Sequence, residues 1–109
     1  MAQAFLLLFA AIVSEVIATT SLKLSEGFTR PVPSLIVVLG YGTAFYLLSL
    51  SLRQIPLGTA YAIWSGVGTA ATVIIGILVW GEPVSAWRMF GIGLIIAGVV
   101  VLQTVAAQP

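Results

Sequence analysis

One carboxylate, Glu15, lies inside a stretch of the sequence that is otherwise apolar. The ten residues from Ala4 to Val13 carry no charge. An ionised side chain at the centre of a bilayer costs about 3 kcal/mol, and acids in such positions usually have a function. No Lys or Arg lies inside another apolar stretch, since Arg53 stands at the end of the second. We predict that Glu15 binds a proton or a cationic ligand; the structural alternative is a carboxyl that only hydrogen-bonds to neighbouring helices.

Residues that share the helical face of Glu15 are the first candidates for a pocket around it. They stand three, four or seven positions away from the acid. Small residues on this face leave room for a bulky ligand, although small residues also let helices pack closely in lipid. Thr19 can donate a hydrogen bond to Glu15 or bond back to its own helix, and we favour the first. The predicted pocket residues of this segment are Leu8, Ala11, Ile12, Ala18 and Thr19.

Aromatic residues in two other segments are candidates for holding a cation. Tyr61 and Trp64 stand three residues apart on one helical face, and Tyr41 lies inside the second segment. The faces of Trp and Tyr attract cations by about 0.5 to 2 kcal/mol. We predict that these three rings line the pocket, with packing between helices as the alternative. Trp80 and Trp87 flank a break between segments and are predicted to anchor the chain at the membrane interface.

Glycines in the last two segments predict a bend and a contact surface. Paired glycines weaken a helix and often mark a bend, although close packing also requires small residues. Glycines seven residues apart on one face are typical of helix association in lipid. The predicted bend is formed by Gly66, Val67 and Gly68, and the predicted dimer contact by Gly91, Leu94, Ile95 and Gly98.

The composition determines which elements position these residues. Of 109 residues, 61% are apolar and 6% are charged, which indicates a membrane protein. A spanning helix needs about 20 mainly apolar residues. Four segments meet this requirement, at about residues 4–22, 34–52, 57–80 and 85–104. We therefore predict an all-α membrane protein with one four-helix transmembrane domain over residues 1–109, in which consecutive helices run antiparallel because the breaks are short.

The composition also disfavours several classes of function. The sequence contains no His and no Cys, so we expect no metal site and no cysteine chemistry. A net charge of +1 predicts no nucleic-acid partner. No nucleophile has a histidine base and no phosphate-binding loop occurs, so we expect neither an enzyme nor a cofactor.

One copy of the chain is predicted to be insufficient for transport. Transporters commonly place their site between two related halves, but Glu15 has no acidic counterpart in the third or fourth segment. We therefore predict a homodimer. Arg53 lies on the side of the termini, whereas Lys23, Arg30 and Arg88 lie on the other side. This bias favours termini facing away from the cytoplasm, but it is weak enough to allow copies inserted in both directions.

Four strings across the chain, SEVIATTSLK, EGFTRPVPS, IPLGTAYAIWSGVG and GIGLIIAGVVVLQ, resemble the small multidrug resistance family of bacterial transporters in order and spacing. The resemblance implies a four-helix subunit in the bacterial inner membrane and an antiparallel, dual-topology homodimer. It also implies proton-driven export of lipophilic aromatic or quaternary ammonium cations. By the same resemblance, Glu15 is the shared proton and substrate site, Tyr41, Tyr61 and Trp64 line the pocket, and Gly91 and Gly98 form the dimer contact.

Two alternatives to multidrug export remain open at the level of the sequence. A guanidinium-exporting branch of the family resembles the chain but typically has Trp at the position of Ala18, and the string EVIATT is similar to the multidrug branch. Phe5 and Tyr46 depart from the best-known multidrug pattern. The first alternative is a guanidinium/proton exchanger. The second is a non-transporting oligomeric membrane subunit or a proton-leak channel.

Overall fold

A computed structural model describes residues 2–106 of the chain, with side chains described over residues 2–104. Four helices follow one another: α1 (Ala2–Leu24), α2 (Pro31–Ser51), α3 (Leu57–Trp80) and α4 (Ala86–Ala106). No strand occurs in this part of the chain. The predicted all-α fold class is confirmed.

All four helices are long and apolar enough to cross a bilayer. The candidate spans contain 19 to 24 residues, and their mean hydropathies lie between 1.7 and 2.1. A span of about 20 such residues matches the hydrocarbon thickness of a membrane. The chain is therefore a multi-pass membrane protein. Its second helix begins at Pro31, earlier than the predicted residue 34, because proline is well suited to the first positions of a helix, where no intrahelical N–H donor is needed.

The chain forms two compact units, divided between Ile55 and Pro56. In the first unit α1 packs against α2, and in the second α3 packs against α4. Both pairs are consecutive helices joined by short turns. The prediction of a single domain over residues 1–109 stays a prediction.

The contact between α1 and α2 depends on a glycine. A Cβ atom built on Gly40 would lie 2.8 Å from the Cβ of Ala18 and 3.2 Å from the backbone oxygen of Ser14. The Ser14 hydroxyl also donates a hydrogen bond of 2.8 Å to the backbone oxygen of Gly40. Small residues let helix backbones approach closely in lipid, where van der Waals packing and interhelical hydrogen bonds drive association. At Gly40, close van der Waals packing and an interhelical hydrogen bond occur together.

The turn between α1 and α2 is organised by a buried serine. The Ser25 hydroxyl donates to the backbone oxygen of Leu22 at 2.7 Å and accepts from the backbone N–H of Phe28 at 3.1 Å. Residues 26–28 all have positive φ angles, of 48°, 74° and 66°. The left-handed region is unfavourable for the non-glycine residues of this turn. Their hydrogen bonds hold the conformation.

The α3–α4 connection is closed by backbone and charged contacts. Gly81 ends α3 in the left-handed conformation, with φ of 66°, which glycine adopts without steric cost. The Glu82 N–H donates to the backbone oxygen of Gly76 at 3.1 Å, and the Glu82 carboxylate lies 3.5 Å from the Arg88 guanidinium. The Ser85 hydroxyl accepts the backbone N–H of Arg88 at 3.1 Å and so caps α4.

We predict that Gly40→Ala destabilises the protein whereas Gly42→Ala does not. A methyl group at position 40 overpacks the α1–α2 contact, which costs about 1 to 3 kcal/mol. Position 42 is on the same helix but has no atom within 4 Å of a built Cβ, so alanine there gains up to about 1 kcal/mol in helix propensity. Thermal unfolding of the two variants in detergent measures the difference. Equal melting temperatures for both variants would contradict the packing role of Gly40.

Candidate functional site

Glu15 lies near the middle of α1, as the sequence predicts for a residue within a span. It stands 13 residues after Ala2 and nine before Leu24, or about 20 Å and about 14 Å of helix from the two ends. The side chain is partly exposed. Its Oε1 atom accepts a hydrogen bond of 2.7 Å from the hydroxyl of Thr19. The hydrogen bond that we favoured for Thr19 is thus present.

The same threonine hydroxyl connects Glu15 to the second helix. Thr19 Oγ1 lies 2.7 Å from the phenolic oxygen of Tyr41 on α2. A threonine hydroxyl has one hydrogen to donate and can accept through its lone pairs. When that hydrogen is donated to an ionised Glu15, Tyr41 must be the donor to Thr19. Three of the predicted site residues therefore form one chain of hydrogen bonds across two helices.

The residues that bring these side chains together are their immediate neighbours in the sequence. Ser14 precedes Glu15, Ala18 precedes Thr19 and Gly40 precedes Tyr41. Ser14 and Ala18 contact Gly40 directly, so a close contact between the two helices lies one residue away from each member of the hydrogen-bond chain. The sequence analysis did not identify Ser14 and Gly40 as the residues that form the contact between α1 and α2. The sequence feature that could have predicted this contact is the small residue that precedes each of the polar site residues Glu15, Thr19 and Tyr41.

The predicted apolar pocket residues of α1 are buried in the structure. Their exposed fractions are between 0 and 2%, so their side chains are in contact with other parts of the protein rather than facing an open space. For Ala18 the contact is the α1–α2 interface at Gly40. A role in a pocket stays a prediction for the whole set, which comprises Leu8, Ala11, Ile12 and Ala18.

The Glu15 carboxylate has no cationic partner among the described side chains. Thr19 supplies its hydrogen bond, and the Arg88 guanidinium pairs with Glu82 instead. Within the described residues no three acidic, histidine or cysteine side chains lie together as metal ligands would. The site as described therefore has one negative group and hydroxyl donors.

The predicted aromatic pair lies on α3, in the second unit. Tyr61 is 66% exposed, and Trp64, one helical turn later, is half-buried. Trp64 stands seven residues after the start of α3, or about 10 Å along the helix. Both rings lie within the apolar span. Their part in a cation pocket stays a prediction.

The glycine pair predicted to form a bend lies in an uninterrupted helix. α3 runs without a break from Leu57 to Trp80. A Cβ atom built on Gly66 would lie 2.7 Å from Cγ2 of Val99 and 3.2 Å from Cγ2 of Ile95, both on α4. The missing side chain of Gly66 thus allows close packing of α4, which was the alternative interpretation. A hinge at Gly66, Val67 and Gly68 remains a prediction.

The predicted dimer contact on α4 is mostly open in a single chain. A Cβ built on Gly91 or on Gly98 would have no atom within 4 Å. Leu94 is 59% exposed, and Ile95 is 40% exposed while it also contacts Gly66 within the chain. No described residue of α4 is buried. The surface is available for a helix of another copy.

The model of the family described as Small Multidrug Resistance protein matches residues 3–95. The chain belongs to the small multidrug resistance family. This confirms the resemblance drawn from the four sequence strings. The matched region includes the whole of α1, α2 and α3 apart from Ala2, and therefore every member of the Glu15 hydrogen-bond chain.

Several relatives whose names state a function align with nearly the whole chain. The present chain is 54% identical over 101 residues to the quaternary ammonium compound-resistance protein QacE of Escherichia coli, and the alignment covers 93% of this chain and 92% of that protein. It is 55% identical over 101 residues to the multidrug resistance protein EbrB of Bacillus subtilis, with coverages of 93% and 86%. A multidrug transporter of Pseudomonas aeruginosa is 48% identical over 99 residues, with coverages of 91% and 90%.

We predict that Thr19→Val changes the environment of the Glu15 carboxyl and that Thr20→Val does not. Thr20 is the matched control, because its hydroxyl bonds back to the oxygen of Val16 on its own helix. Valine at position 19 removes a charge-assisted hydrogen bond, an interaction of about 1.5 to 3 kcal/mol. With ¹³C-labelled glutamate, NMR should show a shifted Glu15 side-chain resonance in Thr19→Val. A resonance that stays at the wild-type position would contradict the hydrogen bond.

Proposed function

We propose that this chain exports lipophilic aromatic or quaternary ammonium cations across the bacterial cytoplasmic membrane in exchange for protons. The observation that carries the proposal is the unpaired carboxylate of Glu15 in the middle of α1. A charge in that position needs a positive partner or a proton. The described chain offers no such partner to Glu15. The names of the relatives, which refer to quaternary ammonium compound resistance and multidrug resistance, support a cationic substrate.

Exchange follows from competition for one carboxylate. A proton on Glu15 removes the charge that attracts a cation, and a bound cation holds the carboxylate ionised. Each ligand lowers the affinity for the other by the same factor, because linkage is reciprocal. If the site opens to one side of the membrane at a time, protons that enter on the outer side displace the cation there. A proton gradient then drives export.

The hydrogen-bond chain supports a specific position for the cation at the carboxylate. Thr19 donates to Oε1 of Glu15, and a cation is proposed to meet Oε2, for which the described side chains supply no hydrogen bond. Tyr41 positions Thr19 through a contact of 2.7 Å and brings an aromatic ring to the same place. A ring beside a carboxylate suits an organic cation, since the ring face and the carboxylate both attract positive charge. Tyr61 and Trp64 on α3 are proposed to complete the aromatic lining.

A second copy is proposed to complete the transporter. α4 has an open face at Gly91 and Gly98, and small residues favour helix association in lipid. Two copies also bring two Glu15 carboxylates to one assembly. The small excess of Lys and Arg on one side of the chain allows the copies to insert in opposite directions. We therefore propose an antiparallel homodimer, in which association itself supplies the inverted symmetry common in transporters.

Glu15→Gln is expected to abolish cation accumulation, whereas Glu26→Gln is expected to leave it intact. Both substitutions remove one carboxylate, but Glu26 is exposed in the α1–α2 turn, outside the proposed site. The measurement is uptake of ethidium by proteoliposomes that carry a pH gradient. Collapse of the gradient with an ionophore should stop uptake by the wild type. Equal uptake by the wild type and Glu15→Gln would end the proposal, and proton flux without any cation uptake would favour the leak channel.

Binding of tetraphenylphosphonium to the purified protein should weaken as the buffer is made more acidic. If one proton competes with one cation, the loss approaches about tenfold per pH unit once Glu15 is protonated in the free protein. Equilibrium binding in detergent measures the affinity, and guanidinium added as a competitor separates the two transport hypotheses. An affinity that does not change with pH would contradict competition at Glu15. Stronger competition by guanidinium than by a bulky quaternary cation would instead support the guanidinium exchanger.

A further inference from the structure

A cavity at the far end of the first unit lies outside the Glu15 site. Its volume is about 240 Å³, and it is formed by residues at the start of α1, at the end of α2 and just beyond α2. Ala4, at its base, is buried. The cavity is separated from Glu15 by eleven residues of α1 counted from Ala4, or about 16 Å of helix. It is therefore a distinct place in the fold, with no part in the proposed cation exchange.

Three polar side chains form the rim of this cavity. They are Gln3, Arg53 and Gln54. Arg53 makes no hydrogen bond or ion pair through its guanidinium within residues 2–106. Guanidinium and amide groups together offer several N–H donors, and none of the described residues that line the cavity carries a carboxylate. The rim is complementary to an anion.

The wall of the cavity below the rim is apolar. It is made by Ala4 and Leu7 of α1 and by Leu50 of α2. All three residues belong to the candidate membrane spans, so this wall extends from the end of the helices into the hydrocarbon layer. Arg53 and Gln54 follow the last residue of α2, at the level where a membrane presents its headgroups. A ligand that fits both parts has an anionic head and an apolar tail.

We propose that this cavity is a binding site for the headgroup of an anionic phospholipid. Arg53 binds the lipid phosphate, the two glutamine amides donate to its remaining oxygens, and the first part of an acyl chain follows Leu7 and Leu50. Basic pockets between transmembrane helices are typical sites for anionic headgroups. Arginine suits phosphate because its planar N–H groups can bind two oxygens at once. A free anion meets the same rim but gains nothing from the apolar wall.

The experiment measures lipid retention by the purified full-length protein. Native mass spectrometry of protein released from micelles that contain phosphatidylglycerol or phosphatidylcholine counts the bound lipids. We expect the wild type to retain phosphatidylglycerol preferentially. Arg53→Gln should weaken this retention about fivefold, which corresponds to the loss of one basic group near an anionic surface. Arg30→Gln is the matched control, because Arg30 is an exposed arginine in the turn at the other end of the same unit.

Three outcomes overturn the inference. The first is equal retention of phosphatidylglycerol by the wild type and Arg53→Gln. The second is an equal loss in Arg30→Gln, which would show a general effect of net charge. The third is stabilisation of the wild type against heat by inorganic phosphate to the same extent as by phosphatidylglycerol, which would identify a free anion as the ligand. Gln54→Ala is a second variant, expected to weaken retention less than Arg53→Gln while unfolding at the wild-type temperature.

Discussion

The rest of the structure is arranged around a carboxylate in an apolar, membrane-spanning helix that meets no cationic side chain among the described residues, and the proposed function depends on this constraint. An ion pair within the subunit would satisfy Glu15 permanently, and a ligand would then have to displace a tethered charge. Hydroxyl donors are neutral, so they stabilise an ionised Glu15 carboxylate without cancelling its negative charge. In the described chain the carboxylate is met by Thr19, with Tyr41 behind it. The protein thus orients the charge without neutralising it.

This arrangement needs two helices at close range, and contacts beside the site, rather than the site residues themselves, bring the helices together. Within lipid, apolar side chains gain little by leaving the hydrocarbon, so helix association rests on close van der Waals contact and on interhelical hydrogen bonds. Gly40 removes the side chain that would separate α1 from α2, and Ser14 bonds to its backbone oxygen at 2.8 Å. The buried residues of α2 recur every seven positions, at Val37, Ala44 and Ser51. They continue the same contact along the helix.

The sequence alone predicts the four helices and one contact of the site, the Thr19–Glu15 hydrogen bond. The other contacts could not be predicted, for a different reason in each case. Four apolar segments of spanning length can form few other structures in a bilayer. The Thr19–Glu15 bond follows from a separation of four residues on one helix. The Tyr41–Thr19 bond depends on the register of α2 against α1, and the turn between these helices has non-glycine residues at positive φ, a conformation that their residue types do not predict. In the sequence, Gly66 is compatible with both a bend and a close helix contact. The positions of Val99 and Ile95 show the close contact, and the bend stays a prediction.

The single hydrogen of the Thr19 hydroxyl links the state of Glu15 to the second helix. While Glu15 is ionised, Thr19 donates to it and Tyr41 donates to Thr19, so both hydroxyl hydrogens point toward the carboxylate. When Oε1 carries a proton, that oxygen becomes the donor to Thr19, and the threonine hydrogen turns to the phenolic oxygen of Tyr41. The phenol then has its own hydrogen to give elsewhere. Two contacts of 2.7 Å on one oxygen therefore couple the protonation of a residue on α1 to the hydroxyl orientation of an aromatic residue on α2, which we have proposed as part of the cation pocket.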